Sequence, residues 1–354
     1  MATGPGFAAQ GNTFIPNFAA SGRLQVAYSR NPRAFPVAQY CQMVNSPRTV
    51  GFWLKLTAQE AARVVTVQDY EWPDGHNRPM RTGLESFNFK EFRTHRFDYG
   101  FTIGEKAAEQ AEWPLVEQHS QIHAAKCMTS RTIRVMTVLL TTTNWATTED
   151  PDMGGNHFDT ATALGGGLWT AGSSTNPIIK KTLDNVAVQI NRDTLGVING
   201  NPQELMLLIN PTGARNMAES QEIHDYIKGS YWTQEELTQG LHPNNKYGLP
   251  SSIYGYPIIV ENTIKVTSRK GATLVKAHAL TDTNAVVVSR VGGIEGAYGA
   301  PSFSTMTIFW YRDEMTLERF DDPRNRLVEG HVVEDTDEIL TAPASGFLIT
   351  SIHA

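Results

Sequence analysis

No stretch of this chain is apolar enough to cross a bilayer. The richest runs, Val135–Leu140 and Ile258–Val260, fall far short of the roughly 18 residues a spanning helix needs, so no membrane partner is expected. Cysteine is nearly absent, with only Cys41 and Cys127 in 354 residues. That excludes a disulfide framework; free thiols in a reducing cytoplasm are expected, although one bridge between the two stays open. The opening Met-Ala-Thr-Gly-Pro-Gly-Phe has neither the basic start nor the apolar centre of a secretory signal. Acids are missing from residues 1–59, which hold Arg23, Arg30, Arg33, Arg48 and Lys55 against no Asp or Glu.

Catalytic signatures are missing too. There is no phosphate-binding loop ending in Gly-Lys-Ser/Thr, no dinucleotide fingerprint after a strand, and no Gly-x-Ser-x-Gly elbow. Gly165-Gly-Gly167, followed by Leu-Trp-Thr, reads as a flexible connector. His119, His123 and Cys127 lie four apart on one stretch. A straight helix can offer only two such groups to one ion, because the third sits a further turn, about 5.4 Å, along. They read as a polar helix face packed on neighbouring structure. The acid pairs Asp321-Asp322 and Glu334-Asp335 read as solvated surface. No catalytic residue, metal or cofactor is expected, and Lys and Arg form no dense aromatic-interleaved patch of the kind that reads nucleic-acid sequence.

What is present suits a soluble globular chain: 40% hydrophobic and 19% charged residues, enough for one large or two medium cores. The net charge of -6 hides an asymmetry, because Asp313–Glu338 carries ten acids against Arg319, Arg324 and Arg326. A basic arm and an acidic late region in one chain suggest attraction between copies, or between the arm and a polyanion.

Along residues 1–48 the prolines at 5, 16, 32, 36 and 47 forbid long helices, while short apolar patches argue against pure disorder. An extended arm that buries its patches on something else is expected. Val50–Leu56 reads as a strand and Thr57–Arg63 as a short helical turn. Val64–Tyr70 and Phe87–Ile103 flank a turn-rich break, and both faces of the second run mix aromatic and charged residues. That pair predicts a projecting hairpin whose partners lie on other molecules. Pro114 to about Leu140 reads as a helix of roughly 40 Å, weakened by its Thr-rich end. Asn176-Pro177 predicts an N-cap and first helical position for a helix to Asp193. Glu204–Ile209 predicts a buried strand and 211–228 a helix. Short strands follow at 258–261, 285–289, 304–311, 315–320, 327–334 and 347–351. Segregated helices and strands indicate the α+β class.

This order of elements resembles that of tailed-phage major capsid proteins with the Hong Kong 97 fold. The residues that carry the likeness are Glu204-Leu-Met-Leu-Leu-Ile-Asn-Pro211, leading to Asp225-Tyr-Ile-Lys-Gly-Ser230, and Ile253-Tyr-Gly-Tyr-Pro-Ile-Ile-Val-Glu-Asn262. The closing strands 303–311, 315–320 and 327–334 are similar as well. The resemblance implies an N-terminal arm over 1–49 and a strand with extended loop over 50–103. It implies a peripheral domain with a spine helix over 104–195, closed by 290–354, and an axial domain over 196–289. It further implies a non-enzymatic shell subunit in the virion, forming pentamers and hexamers around double-stranded DNA held by non-specific charge. A portal and a separate scaffolding protein are the expected partners; Lys90 stands away from the loop tip, which makes a covalent crosslink unexpected. Arg23, Arg30, Arg33, Phe87, Phe89, Arg93 and Arg96 are the candidate intersubunit or DNA-facing residues. The alternative within the same fold is an encapsulin nanocompartment shell.

Overall fold

Five consecutive apolar residues, Leu205–Ile209, can serve one strand only if both faces of its sheet are covered. In the computed structural model they are. Leu205, Leu207 and Ile209 enter one core and Leu208 the other. The same alternation holds for Ala285 and Val287 against Val286 and Val288, and for Phe347 and Ile349 against Leu348. The structure describes residues 35–55, 74–75, 88–111, 114–145, 157–159, 168–173, 175–194, 196, 198, 205–239, 247–269, 271–291 and 303–353.

Among the described residues the helices are α1 (Val37–Tyr40), α2 (Glu105–Gln110), α3 (Leu115–Leu140), α4 (Ile178–Asp193), α5 (Pro211–Ala218), α6 (Gln221–Gly229) and α7 (Tyr231–Gln239). The strands are β1 (Gln42–Ser46), β2 (Val50–Lys55), β3 (Asn88–Arg93), β4 (His95–Gly104), β5 (His157–Asp159), β6 (Leu205–Ile209), β7 (Ser252–Ile253), β8 (Tyr256–Val260), β9 (Ile264–Val266), β10 (Lys276–His278), β11 (Ala285–Val291), β12 (Phe303–Ser304), β13 (Met306–Tyr311), β14 (Thr316–Asp322), β15 (Leu327–Leu340) and β16 (Phe347–Thr350). The mixture is α+β, as expected. Among the described residues no helix is long and apolar enough to cross a membrane.

The doubly covered sheet runs β5-β16-β11-β6-β8-β7, with β12 beside β11. One face packs on α4, α5 and α6 through Leu183, Val186, Ile190, Met217 and Ile223. The other packs on the end of α3 through Val135, Met136 and Leu139, together with Tyr40 and Trp145. Strands from 157–159, 205–209, 252–260, 285–291, 303–304 and 347–350 therefore share one sheet, and the segments 104–195, 196–289 and 290–354 interleave in it.

The second sheet is organised by β15, whose 14 residues span about 46 Å at roughly 3.3 Å each. β4 lines one edge from His95 opposite Thr336 to Gly104 opposite Leu327. β13 and β14 follow one another along the other edge, and β1 runs parallel to β13. Val328, Val332, Glu334 and Thr336 alternate inward. Gly330 belongs to this inward set for a steric reason: a Cβ there would stand 2.2 Å from the Phe101 ring, which lies across the strand.

Several local expectations are corrected. The helix expected over 211–228 is two helices, α5 and α6, separated at Glu219-Ser220, where the Ser220 hydroxyl accepts from the Ile223 amide; α7 then follows without having been foreseen. Pro177, not Asn176, is the N-cap of α4. The leading amides are satisfied from a distance, Ile179 and Lys180 donating to the buried Glu222 carboxylate at 2.9 and 2.8 Å. The Thr-rich end of α3 stays helical: Val135, Met136 and Leu139 are buried against the sheet, and Thr129, Thr132 and Thr137 satisfy their hydroxyls on carbonyls four residues back. Cys41 and Cys127 are not joined in a disulfide, and both are buried. The turn at 57–63, the run at 64–70 and the Gly165–Gly167 connector lie outside the described residues.

Candidate assembly site

β2 and β3 form an antiparallel ribbon, with Phe52 opposite Glu91 and Gly51 opposite Phe92. Alternation divides its side chains between two faces. On one, Phe92 crosses Gly51, leaving no room for a Cβ, and stacks on Phe309 with ring centres 4.3 Å apart and planes 3° from parallel. On the other, Phe52 and Phe89 are 68% and 62% exposed, flanked by exposed Val50. The ribbon thus presents an aromatic face to solvent, while its opposite face is pinned to the subunit.

The pin is specific. The Thr94 amide donates to the Thr49 carbonyl at 2.8 Å, and the Arg93 amide donates to Asp337 Oδ2 at 2.8 Å. Burial raises the Asp337 carboxyl above its ordinary range, against the lowering effect of that bond. Beyond Thr94 the chain joins the second sheet. β4 lies in its own subunit's sheet along its whole length, which corrects the expectation of a single hairpin reaching to 103: its last ten residues root it.

Beneath that root, α3 and β15 are joined by a buried charge network. Arg131, wholly buried, donates to Glu334 Oε2 at 2.7 Å and to Glu314 Oε1 at 2.6 Å, and also to the Glu314 carbonyl. Arg134 donates to Glu334 Oε1 at 2.5 Å and to Glu338 Oε1 at 2.9 Å, while its guanidinium sits 3.8 Å over the Phe97 ring. Burial opposes the Arg134 charge, and the carboxylates of Glu338 and Glu334 more than offset it, holding that group above the usual arginine range. Burial also pushes the Cys127 thiol up, with the neighbouring Glu334 charge adding to the effect. Glu334 had read as solvated surface; it is buried and shared by two arginines. The 2.6 Å contact to Glu314 ties in the β13–β14 corner, where Arg312 takes a φ of +60°.

The expected site residues separate accordingly. Arg23, Arg30, Arg33 and Phe87 lie outside the described residues. Phe89 is on the exposed ribbon face. Arg93 is exposed at its base, and Arg96 pairs with Asp335 of its own chain at 3.0 Å. His119 and His123 lie against the Phe101 ring, with centres 5.7 and 5.1 Å away; burial lowers both imidazoles from their ordinary range. Cys127 turns instead to Glu334. Among the described residues no group of His, Cys, Asp and Glu could hold a metal ion. Sequence reasoning missed Arg131 and Arg134, although arginines three apart on an otherwise half-apolar helix were a usable signal.

No family model and no curated relative matches the chain. Solved structures do. The capsid of the cyanophage P-SCSP1u matches with a TM-score of 0.61 at 11% identity, over 97% of this chain and 94% of that one. A phage-related protein from Bordetella bronchiseptica RB50 matches with a TM-score of 0.57 at 11% identity, over 90% and 93%. The mature capsid of bacteriophage PhiM1 gives 0.54 at 12%, over 93% and 90%. At such identities the likeness is one of fold: this chain has the fold of phage capsid subunits.

Proposed function

We propose that this chain is the major capsid protein of a tailed double-stranded DNA phage, a structural subunit that assembles with copies of itself into the closed shell of the virion. The observation that carries this reading is the extent of the fold match, 97% of this chain against 94% of a phage capsid subunit. A non-enzymatic shell role accords with it. The exposed aromatic face of the β2–β3 ribbon supports it independently, because large apolar side chains left together at the surface mark a place for a partner.

In this reading residues 50–93 form the extended loop that lies on a neighbouring subunit, rooted by β4. α3 is the spine helix of a peripheral region, and the segment 196–289 is the axial region gathered around five-fold and six-fold axes. Phe52 and Phe89 contribute to the intersubunit contact, and Arg23, Arg30 and Arg33 of the arm face a neighbour or packaged DNA. A separate scaffolding protein and a portal complete the assembly. Many modest contacts in nearly equivalent positions then give a durable shell through closed symmetry and multivalency.

Negative-stain microscopy and sedimentation of the purified chain test the proposal. Closed particles of uniform size are expected, filled with nuclease-protected double-stranded DNA when isolated from infected cells. A stable, monodisperse monomer under all assembly conditions would overturn it. Particles enclosing protein and no nucleic acid would turn the reading towards a nanocompartment.

A further inference from the structure

Between Glu261 and Asp282 the sequence holds Lys265, Arg269, Lys270 and Lys276 and no acid. The structure makes this stretch the hairpin β9–β10, with Lys276 opposite Val266 and His278 opposite Ile264. It is also unusually apolar for an exposed element. Ile264, Val266, Leu274 and Val275 are 50–59% exposed. At its base the hairpin and α3 enclose an open groove of about 570 Å³, walled by Ile122, Ile133, Ile264 and Val266 and flanked by Lys126 and Lys265. A basic rim around an aliphatic wall fits an acidic partner with apolar anchors.

The same chain carries a surface of that kind. β14 is the edge strand of the second sheet, and its far side pairs with no described strand. Leu317 and Phe320 are 59% and 54% exposed on it. Residues 313–322 hold five acids against the single Arg319; Glu314 pairs with Arg131 and Asp321 with Arg319 at 3.2 Å, and Asp313, Glu318 and Asp322 carry the remaining negative charge. Glu318 and Phe320, opposite His331 and Glu329 of β15, project from one face of the strand, so a carboxylate and an aromatic ring are offered together.

We propose that the basic β9–β10 hairpin of one subunit docks on the acidic β14 edge of a second copy of this chain. The approach is edge to edge: Phe320 and Glu318 on one face of β14, and Leu317 and Asp321 on the other, straddle the hairpin, covering its aliphatic side chains and meeting Lys276 and Lys265, which lie on its two opposite faces. The two patches differ and lie on the same chain, so the contact is head-to-tail and continues from copy to copy until the rotation closes it. This rests on the shell reading and deepens it by naming a contact that the aromatic ribbon does not supply.

Charge exchange tests it. The pairs K265E/K276E and E318K/D321K, made separately, are each expected to cut particle yield at least about tenfold at physiological salt. Subunit unfolding is expected to shift only slightly, because Lys276, Glu318 and Asp321 are exposed, Lys265 is half-buried at the groove rim, and the Asp321–Arg319 pair that D321K removes is a surface one. About 1 M salt should return part of the yield, since screening then acts within roughly 3 Å. Combining all four substitutions in one chain restores attraction with its sign reversed and should bring yield back to within about threefold of the parent. The proposal is overturned if either pair alone assembles like the parent, or if the fourfold variant is as defective as the pairs. It is equally overturned if K265E/K276E assembles normally and loses retained nucleic acid, which would assign the hairpin to the polyanion. A parent chain that forms no particle at all removes the shell reading itself.

Discussion

The doubly covered sheet and the β2–β3 ribbon both carry large apolar side chains, and those side chains have opposite fates. Along Leu205–Ile209, Ala285–Val288 and Phe347–Ile349 successive residues enter alternate cores within the subunit, so those stretches are complete once the chain folds. In the ribbon one face is spent on Gly51, Phe92 and Phe309, while Phe52 and Phe89 face solvent. At about 25 cal/mol per Å² of apolar surface, the first arrangement stabilises the subunit and the second reserves its stabilisation for contact with another. The join between them, β4 on β15 above α3, has to be stiff, because a ribbon can bind a neighbour only as firmly as its root is held.

The sharpest way to break that contrast is to loosen the root. Arg131→Met leaves the wholly buried Glu334 with one of its two arginines and frees the β13–β14 corner. Removing one partner of a buried ion pair costs about 3–5 kcal/mol. Chemical denaturation should register a loss of that size, and soluble yield should fall with it. Glu334→Gln removes the one charge both guanidinium groups share, leaving Arg131 with Glu314 and Arg134 with Glu338, and should destabilise in the same direction. If either variant unfolds like the parent, the network is not what holds α3 to β15.

A smaller effect is expected at Gly330. Gly330→Ala places a methyl against the Phe101 ring, with overpacking of about 1–3 kcal/mol. Phe101→Leu in the same chain should recover part of it, because the obstruction is one ring and not the backbone. Unfolding measured for the single and double variants reads the coupling directly.

Acid should act on the same interface more gently. His119 and His123 are held below their ordinary value by burial against Phe101. The unfolded chain therefore binds more protons than the folded one once pH falls below about 6.5. Stability is fully present above that value and declines beneath it. Thermal melts should be flat from pH 8 to 6.5 and fall by about 1–3 °C by pH 5.5. Replacing both residues with Gln should remove that part of the slope.

Much of this was legible in the sequence where a run of residues signals its own surroundings. Leu205–Ile209 declared a strand covered on both faces, and the helix from 115 to 140 and the closing strands followed from length and periodicity. What escaped notice depended on partners far along the chain. Glu334 looked solvated because its neighbours are acidic and polar, while its arginines lie 203 and 200 positions away. The cap of α4 is supplied by Glu222, 43 positions on. The single hairpin to 103 was misjudged because alternation alone does not reveal that residues 95–104 meet β15. A charge or a cap reads correctly from sequence only when the group satisfying it is local.

The smallest expected change in subunit stability is also the most discriminating. Phe52→Ser with Phe89→Ser alters two side chains more than 60% exposed, and exposed substitutions ordinarily move stability within about 0.5 kcal/mol. Unfolding of the isolated subunit should therefore be indistinguishable from the parent, while particle yield falls steeply because the aromatic contact is lost at every copy. The Arg131 variant should lose both together. A ribbon variant that unfolds early would mean that the aromatic face already has a partner within the subunit. One that assembles normally would mean that the face has no partner in the shell. Only the split outcome, stable subunit and failed assembly, is consistent with a chain whose sheets fold alone and whose ribbon does not finish its burial until a second copy arrives.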